Sequence, residues 1–190
     1  MTVQLHEILW DTSLLMARRN SLQRGKALLV YFSLAPACEP CVAFEEETLS
    51  QGDVVNFVEK YFQPVKLNLK RDILLAEGYK VTKTPTLVVV DEHNQVQHRI
   101  EGQITAKELL GRLSLGLGKL WLDHEWFEKS RSRLEKVIQR HPGTPAADEA
   151  EYWKHIGQQR QDDGLVEEAI KESFPASDPP CWTLGRENKT

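Results

Sequence analysis

Cysteine is scarce in this chain, with three among 190 residues. Three thiols cannot make the paired framework that staples small secreted domains. No apolar run approaches the roughly 18 residues needed to cross a bilayer, so no membrane partner is expected. Positive charge is not in excess: 24 Lys and Arg stand against 28 Asp and Glu, for a net charge of −4. That balance speaks against a nucleic-acid partner. None of the six histidines shows metal-ligand spacing. His93 and His98 flank an expected hairpin and are predicted to face solvent. The first twenty residues lack a charged stretch followed by an apolar core, so no signal peptide is expected. The expected compartment is the cytoplasm, where thiols are kept reduced. What the chain does have is 41% hydrophobic residues, enough for a packed core, in a length that suits one ordinary domain plus an appendage.

Two of the three cysteines lie close together, in Cys38-Glu39-Pro40-Cys41. They follow an apolar, strand-like run, Ala27 to Phe32, and precede a segment that reads as helix. Two thiols three apart at a helix start share one face and can close or open a disulfide. The unpaired N–H groups and the dipole of the helix end stabilise the first thiolate. A cytosolic Cys-x-x-Cys beside a βαβ pattern reads as catalytic. The alternative is a structural zinc site, which usually needs four ligands. The third cysteine, Cys181, sits far away in a Pro-rich tail, so such a site would need a histidine as well.

Periodicity organises the rest. Residues 3–24 read as an amphipathic helix closed by Gly25, and 27–33 as a buried strand. Helical pattern resumes after the cysteines through Leu49, with Glu45-Glu46-Glu47 read as a solvated face. Gly52-Asp53 punctuates, Asp53 being a candidate N-cap, before a helix through Tyr61 that Pro64 breaks. Val65 to Leu69 alternates like a strand, and 71–78 reads as a short helix. Pro85 cannot sit inside a central strand, so a strand begins there. Asp91 to Asn94 makes a turn, Gln95 to Ile100 returns, and Ile104 to Leu115 is helical with Thr105 as cap. Helix-connected strands give a parallel part and the hairpin an antiparallel part.

On these residues the chain resembles the thioredoxin family, and looks closest to thioredoxin-like domains related to the C-terminal domain of DsbD. The matching pieces are the strand before the cysteines, Glu45 to Ser50 with Asp53-Val54, the Pro64-Val65-Lys66-Leu67 strand, Lys83-Thr84-Pro85-Thr86-Leu87 and Gly102. They cover roughly residues 26–115, with Pro85 placed 44 positions after Cys41. The resemblance implies an α/β thioredoxin-like fold, a mixed sheet flanked by helices. It implies redox catalysis by Cys38 and Cys41 without a cofactor or metal. It also implies a cis Thr84–Pro85 peptide beside the cysteines, whose backbone pairs with bound substrate as an added strand. The implied partners are a disulfide-containing protein substrate and an electron-donating reductase; the reducing direction rests on the compartment alone.

Three departures bear on tuning. Ala37 stands where the family usually has Trp. Tyr31 occupies the place of a buried acid that helps shuttle protons, and with an ordinary pKa of about 10 it substitutes poorly. Glu39 replaces a small neutral residue and disfavours the Cys38 thiolate by ~0.5 kcal/mol in a water-like medium. Pro40 stiffens the turn at a helix position where its missing N–H costs nothing.

The C-terminal third carries Leu117-Gly118-x-x-Trp121, Ser130-x-x-x-Leu134 and Pro142, which resembles a tetratricopeptide unit of period about 34. Residues 145–161 would begin another repeat, with Ala147, Ala150, Trp153 and Ile156 inward. So short an array is expected to pack on the first domain. Its role is either a protein-partner surface or a completion of the core. Asp162-Asp163-Gly164 is read as a break, followed by a short helix from Leu165 to Ser173. The Pro-rich end, with Phe174, Cys181 and Trp182, resembles a terminal motif of small bacterial proteins. The expected layout is an N-terminal helix over 1–25, a thioredoxin-like domain over 26–116, a helical extension over 117–161 and a tail over 162–190. Two functions follow: a disulfide oxidoreductase, probed by turnover, or a non-catalytic adaptor with an inert cysteine pair.

Overall fold

The computed structural model describes residues 7–173. Four strands form one mixed sheet. They are β1 (Ala27–Ser33), β2 (Phe62–Asn68), β3 (Thr86–Val90) and β4 (Val96–Glu101), in the order β2-β1-β3-β4. β1 pairs parallel with β2, Val30 opposite Val65, and antiparallel with β3, Val30 opposite Val88. β3 and β4 form the hairpin. The helices are α1 (Leu14–Arg24), α2 (Glu39–Ala43), α3 (Gly52–Tyr61), α4 (Ile73–Gly78), α5 (Ala106–Asp123), α6 (Phe127–Arg140) and α7 (Pro145–Ser173). A π-helical turn over Phe44–Leu49 continues α2. The thioredoxin-like fold implied by the sequence is the fold observed, with helices added at its C-terminal end.

Strand alternation divides the core into two layers. Leu29, Tyr31, Leu87 and Val89 point to one face and pack with Phe44, Val54, Val58, Leu109 and Leu113. Leu28, Val30, Phe32, Val88 and Val90 point to the other and pack with Ala17, Ala76, Tyr79 and Val81. A third cluster, Leu115, Leu134, Val137, Ala146 and Ala150, joins α5, α6 and α7. α5 thus serves both the sheet and the extension, because the helix expected over 104–115 runs on to Asp123.

Several sequence expectations are corrected. The first helix begins at Leu14, capped by Ser13, whose hydroxyl accepts from the Met16 N–H at 3.4 Å. Ahead of it the chain is extended: Asp11 N–H donates to the Pro64 carbonyl and the Asp11 carbonyl accepts from Lys66 N–H. The helical spacing of apolar residues there was fortuitous, since Leu9 and Leu15 are exposed while Ala17 and Ser21 are buried. Residues 3–6 of the expected helix lie outside the described residues. Gln51, not Asp53, flanks the start of α3, and Asp53 sits in its first turn. α3 ends at Tyr61 before Pro64 is reached, and Pro64 lies within β2. α7 runs unbroken through Asp162-Asp163-Gly164. One helical glycine costs only about 1 kcal/mol, too little to end a helix of that length. His98 is buried rather than solvent-facing, because the bare Gly116 backbone of α5 lies against it: a Cβ there would meet the His98 Cβ at 3.0 Å. His93 is exposed as expected. Cys181 and the Pro-rich end lie outside the described residues.

The helices of the extension approach closely through small residues. A Cβ on Gly118 would lie 2.5 Å from Leu134 Cδ2. The buried Ser130 hydroxyl donates to the Gly118 carbonyl at 2.7 Å. Ala147 and Ala150 are buried as expected, with Trp153 and Ile156 half-buried.

Candidate active site

β1 delivers the chain to a loop at its C-terminal end, and Cys38 becomes the N-cap of α2. Its Sγ accepts from the Cys41 N–H at 3.3 Å, so the first sulfur faces the unpaired donors of a helix start. Cys38 and Cys41 are joined as a disulfide, with Cα atoms 5.2 Å apart. The two sulfurs differ in access: Cys41 is fully buried while Cys38 is partly exposed. Glu39 and Pro40, in the first turn of α2, are exposed, and so is Ala37 before it. Among the described residues no group of three or more His, Cys, Asp or Glu is arranged to hold a metal ion.

The second half of the site comes from the turn before β3. The Thr84–Pro85 peptide is cis, as is Ala35–Pro36, which the sequence did not suggest. Thr84 Oγ1 lies 3.5 Å from Cys38 Sγ. Pro85 is buried, and its carbonyl accepts from Gly102 N–H, which anchors the loop to the end of β4. Lys83 and Glu101 close the same corner with an ion pair at 2.7 Å. The structure therefore brings Cys38, Cys41, Thr84 and Pro85 into one small region.

Tyr31 is placed differently from the other candidates. It is fully buried, with Trp10 and Phe44 rings at 5.4 and 6.1 Å. Its hydroxyl donates to Glu45 Oε1 at 3.1 Å. Ser33 Oγ donates to the same oxygen at 2.9 Å, and Lys66 Nζ pairs with Glu45 Oε2 at 2.7 Å. Burial pushes the Tyr31 phenol above its ordinary value; Ser33 opposes this and the Glu45 charge adds to it. Tyr31 therefore stays neutral and acts as a donor. Glu45 corrects the reading of Glu45-Glu46-Glu47 as a solvated face: Glu46 and Glu47 are exposed, but Glu45 turns inward. The missed signal was spacing, since Glu45 sits four residues after the buried Cys41 and so returns toward the same helix face.

A mixed four-stranded sheet with Cys-x-x-Cys closing the end of β1 and an X–Pro turn opening β3 defines a thioredoxin-like domain. The chain matches the family described as thioredoxin-like domain over residues 16–116 and belongs to it. No curated protein matches the chain. Among solved structures, a putative disulphide-isomerase from Bacteroides thetaiotaomicron is similar at 24% identity and TM-score 0.53, covering 60% of this chain and 97% of that one. A thioredoxin from Thermus thermophilus aligns at 24% identity and TM-score 0.49, covering 55% and 82%. The oxidised DsbD C-terminal domain of Neisseria meningitidis aligns at 20% identity and TM-score 0.44, covering 54% and 93%. At 24% identity the first of these likenesses shows the fold alone. No described helix is long and apolar enough to cross a membrane.

Proposed function

We propose that this protein is a thiol–disulfide oxidoreductase that reduces protein disulfides through Cys38 and Cys41. The observation that carries the reading is the pairing of a partly exposed Cys38 at a helix start with a buried Cys41, and with Thr84 of the cis-proline turn at 3.5 Å. In the reduced state the Cys38 thiolate attacks one sulfur of a substrate disulfide. That S–S bond breaks, the far sulfur leaves as a thiolate and takes a proton from water, and a mixed disulfide forms on Cys38. Cys41 loses its proton and attacks the Cys38 sulfur. The second substrate thiolate leaves, and the Cys38–Cys41 disulfide closes. Two electrons pass to the substrate. An electron-donating dithiol reductase returns them by the same exchange in reverse order. Thr84 and Pro85 offer the strand-like edge on which an extended substrate segment lies. Glu39 sits beside Cys38 and works against its thiolate, while Pro40 stiffens the helix start. Tyr31 tunes the site indirectly, through Glu45.

The reducing direction follows from a cytoplasmic setting, in which the dithiol is regenerated continuously. The experiment is a redox titration of Cys38–Cys41 combined with insulin-type disulfide reduction. Turnover that disappears in Cys38→Ser supports the reading. An intact cysteine pair that never turns over rejects it.

One observation favours the adaptor as second reading. Ala37, just before the cysteines, is exposed and not aromatic, while α5 and α6 pack closely through Gly118 and Ser130. In that reading the helices from 117 onward hold a protein partner, and turnover is absent.

A further inference from the structure

A cavity of about 630 Å3 opens where the helical extension meets the domain, within the size range of small-ligand sites. It lies at the end of the sheet away from the cysteines. Ala27, at the start of β1, lines it, whereas Cys38 follows the end of that seven-residue strand. At about 3.3 Å per residue the two sites stand roughly 20 Å apart.

The lining is cationic in a chain of net negative charge. Lys26 and Lys60 come from the domain, and Lys129, Arg133 and Lys136 from α6. Among the described residues none of these five joins an ion pair. Aromatic faces hold three of them instead. Lys129 Nζ lies 4.4 Å from the Trp121 ring centre and 4.3 Å from that of Trp126. The Arg133 guanidinium lies 4.4 Å from the Tyr61 ring centre and 5.0 Å from that of Trp121, and Lys60 Nζ 5.3 Å from that of Tyr61. A ring face fixes a cation without cancelling its formal charge, so the field remains available to a ligand. Two carboxylates, Asp91 and Glu92, also line the wall and offset two of the five positive charges. Asp91 accepts from Gln95 N–H and Gln97, and Glu92 pairs with His93 and His124. The Tyr61 phenol reports the field: burial raises it, but Arg133 and Lys60 outweigh burial and leave it below its ordinary value. Leu117, Leu120 and Trp121 supply an apolar floor.

We propose that this cavity binds a nucleotide-sized organic phosphate, its phosphates held by Lys26, Lys60, Lys129, Arg133 and Lys136 and its flat, less polar part set against the Leu117–Trp121 floor. Four of the five cations are lysines, which bind phosphate as point charges, and the fifth, Arg133, can meet it with two parallel N–H donors. Neither half builds the site alone, since the domain and α6 each contribute cations. The extension thereby acquires a role independent of the cysteines.

The test is calorimetric titration of the full chain with ATP, pyrophosphate and adenosine. ATP and pyrophosphate are expected to bind saturably at one site at near-physiological salt and more weakly as salt rises. Adenosine is expected not to bind. Lys60→Gln combined with Lys136→Gln, both exposed positions, is expected to weaken ATP binding tenfold or more while the circular dichroism and melting curve stay as in the parent chain. No saturable binding of either phosphate compound overturns the proposal. So does equal affinity in the double variant, equal affinity for adenosine and ATP, or a polyglutamate peptide binding in preference to both phosphates, which would mark an acidic protein partner.

Discussion

Lys66 Nζ lies 2.7 Å from Glu45 Oε2, while Glu45 Oε1 accepts from both Tyr31 and Ser33. This joins β2, β1 and the turn after α2 beneath the cysteine-bearing helix. The ion pair is half-buried, with side chains 32% and 28% exposed, so water weakens it without removing it. Glu45→Gln leaves Lys66 with a neutral partner and Tyr31 with a weaker acceptor. It is expected to lower stability by about 1–2 kcal/mol in urea unfolding. Adding Lys66→Met is expected to cost less than the sum of the two single changes. Strict additivity in that double-mutant cycle would show that the pair does not couple.

Resolving chemistry assigned to the buried Cys41 has a direct readout. In Cys41→Ser the mixed disulfide on Cys38 cannot be released internally. Covalent adducts with a disulfide-bearing protein are expected to accumulate and to vanish in the Cys38→Ser, Cys41→Ser double variant. Non-reducing electrophoresis reads this. With Cys181→Ser also present in each variant, adducts that fail to form on Cys41→Ser would exclude Cys38 as the attacking sulfur.

Helix packing around Gly118 leaves no room for a methyl group. A Cβ there meets Leu134 at 2.5 and 2.9 Å, and Gly118→Ala is expected to destabilise the chain by ~1–3 kcal/mol. The contrasting control is Gly164, helical with nothing within 4 Å of an added Cβ. Gly164→Ala is expected to stabilise by about 0.5–1 kcal/mol through backbone entropy and helix propensity. A thermal melt of each variant checks both signs.

His98 has a buried Nε2 with no hydrogen-bond partner among the described residues. Burial, then Lys119, then Arg112 lower the imidazole, with Glu149 opposing, from 6.5 to about 4. An unfolded chain takes this proton near pH 6.5, and the folded chain only near 4. Between those values the unfolded state binds more protons, so the contribution is full above pH 6.5 and is lost as pH falls toward 4. The Glu149 carboxyl adds loss in the same direction below its ordinary 4.5. Burial raises that carboxyl, but Lys119, His98 and Trp153 outweigh it. His98→Leu is expected to flatten the urea midpoint between pH 6.5 and 4.5. An unchanged slope would assign that pH dependence to other groups.

Spacing along the chain located the strands and α3 and put Cys38 and Cys41 at a helix start, while the cis turn at Thr84-Pro85 came from the family resemblance and α5 ran eight residues past its expected end at Leu115. The strands, α3 and the cysteine pair depend on residues near one another, and the turn on a motif of fixed form. Glu45, Lys66 and His98 were read wrongly or passed over because each acquires its role from a partner far along the chain. Glu45 is 21 residues from Lys66, and His98 is covered by Gly116. α1 misled for a related reason: Leu9 and Leu15 kept helical spacing, but the β2 edge drew Asp11 into main-chain pairing.

Local order along the backbone thus determined the strands of the sheet and which thiols could meet at a helix start, because propensities, caps and short spacings act within a few residues. Tertiary packing alone decided which charges would be hidden, paired or left open. Desolvation and Coulomb energy depend on what surrounds a group in space, and the sheet brings Lys66 to Glu45 while the domain and α6 set their cations around the Trp121 ring of α5 in one cavity.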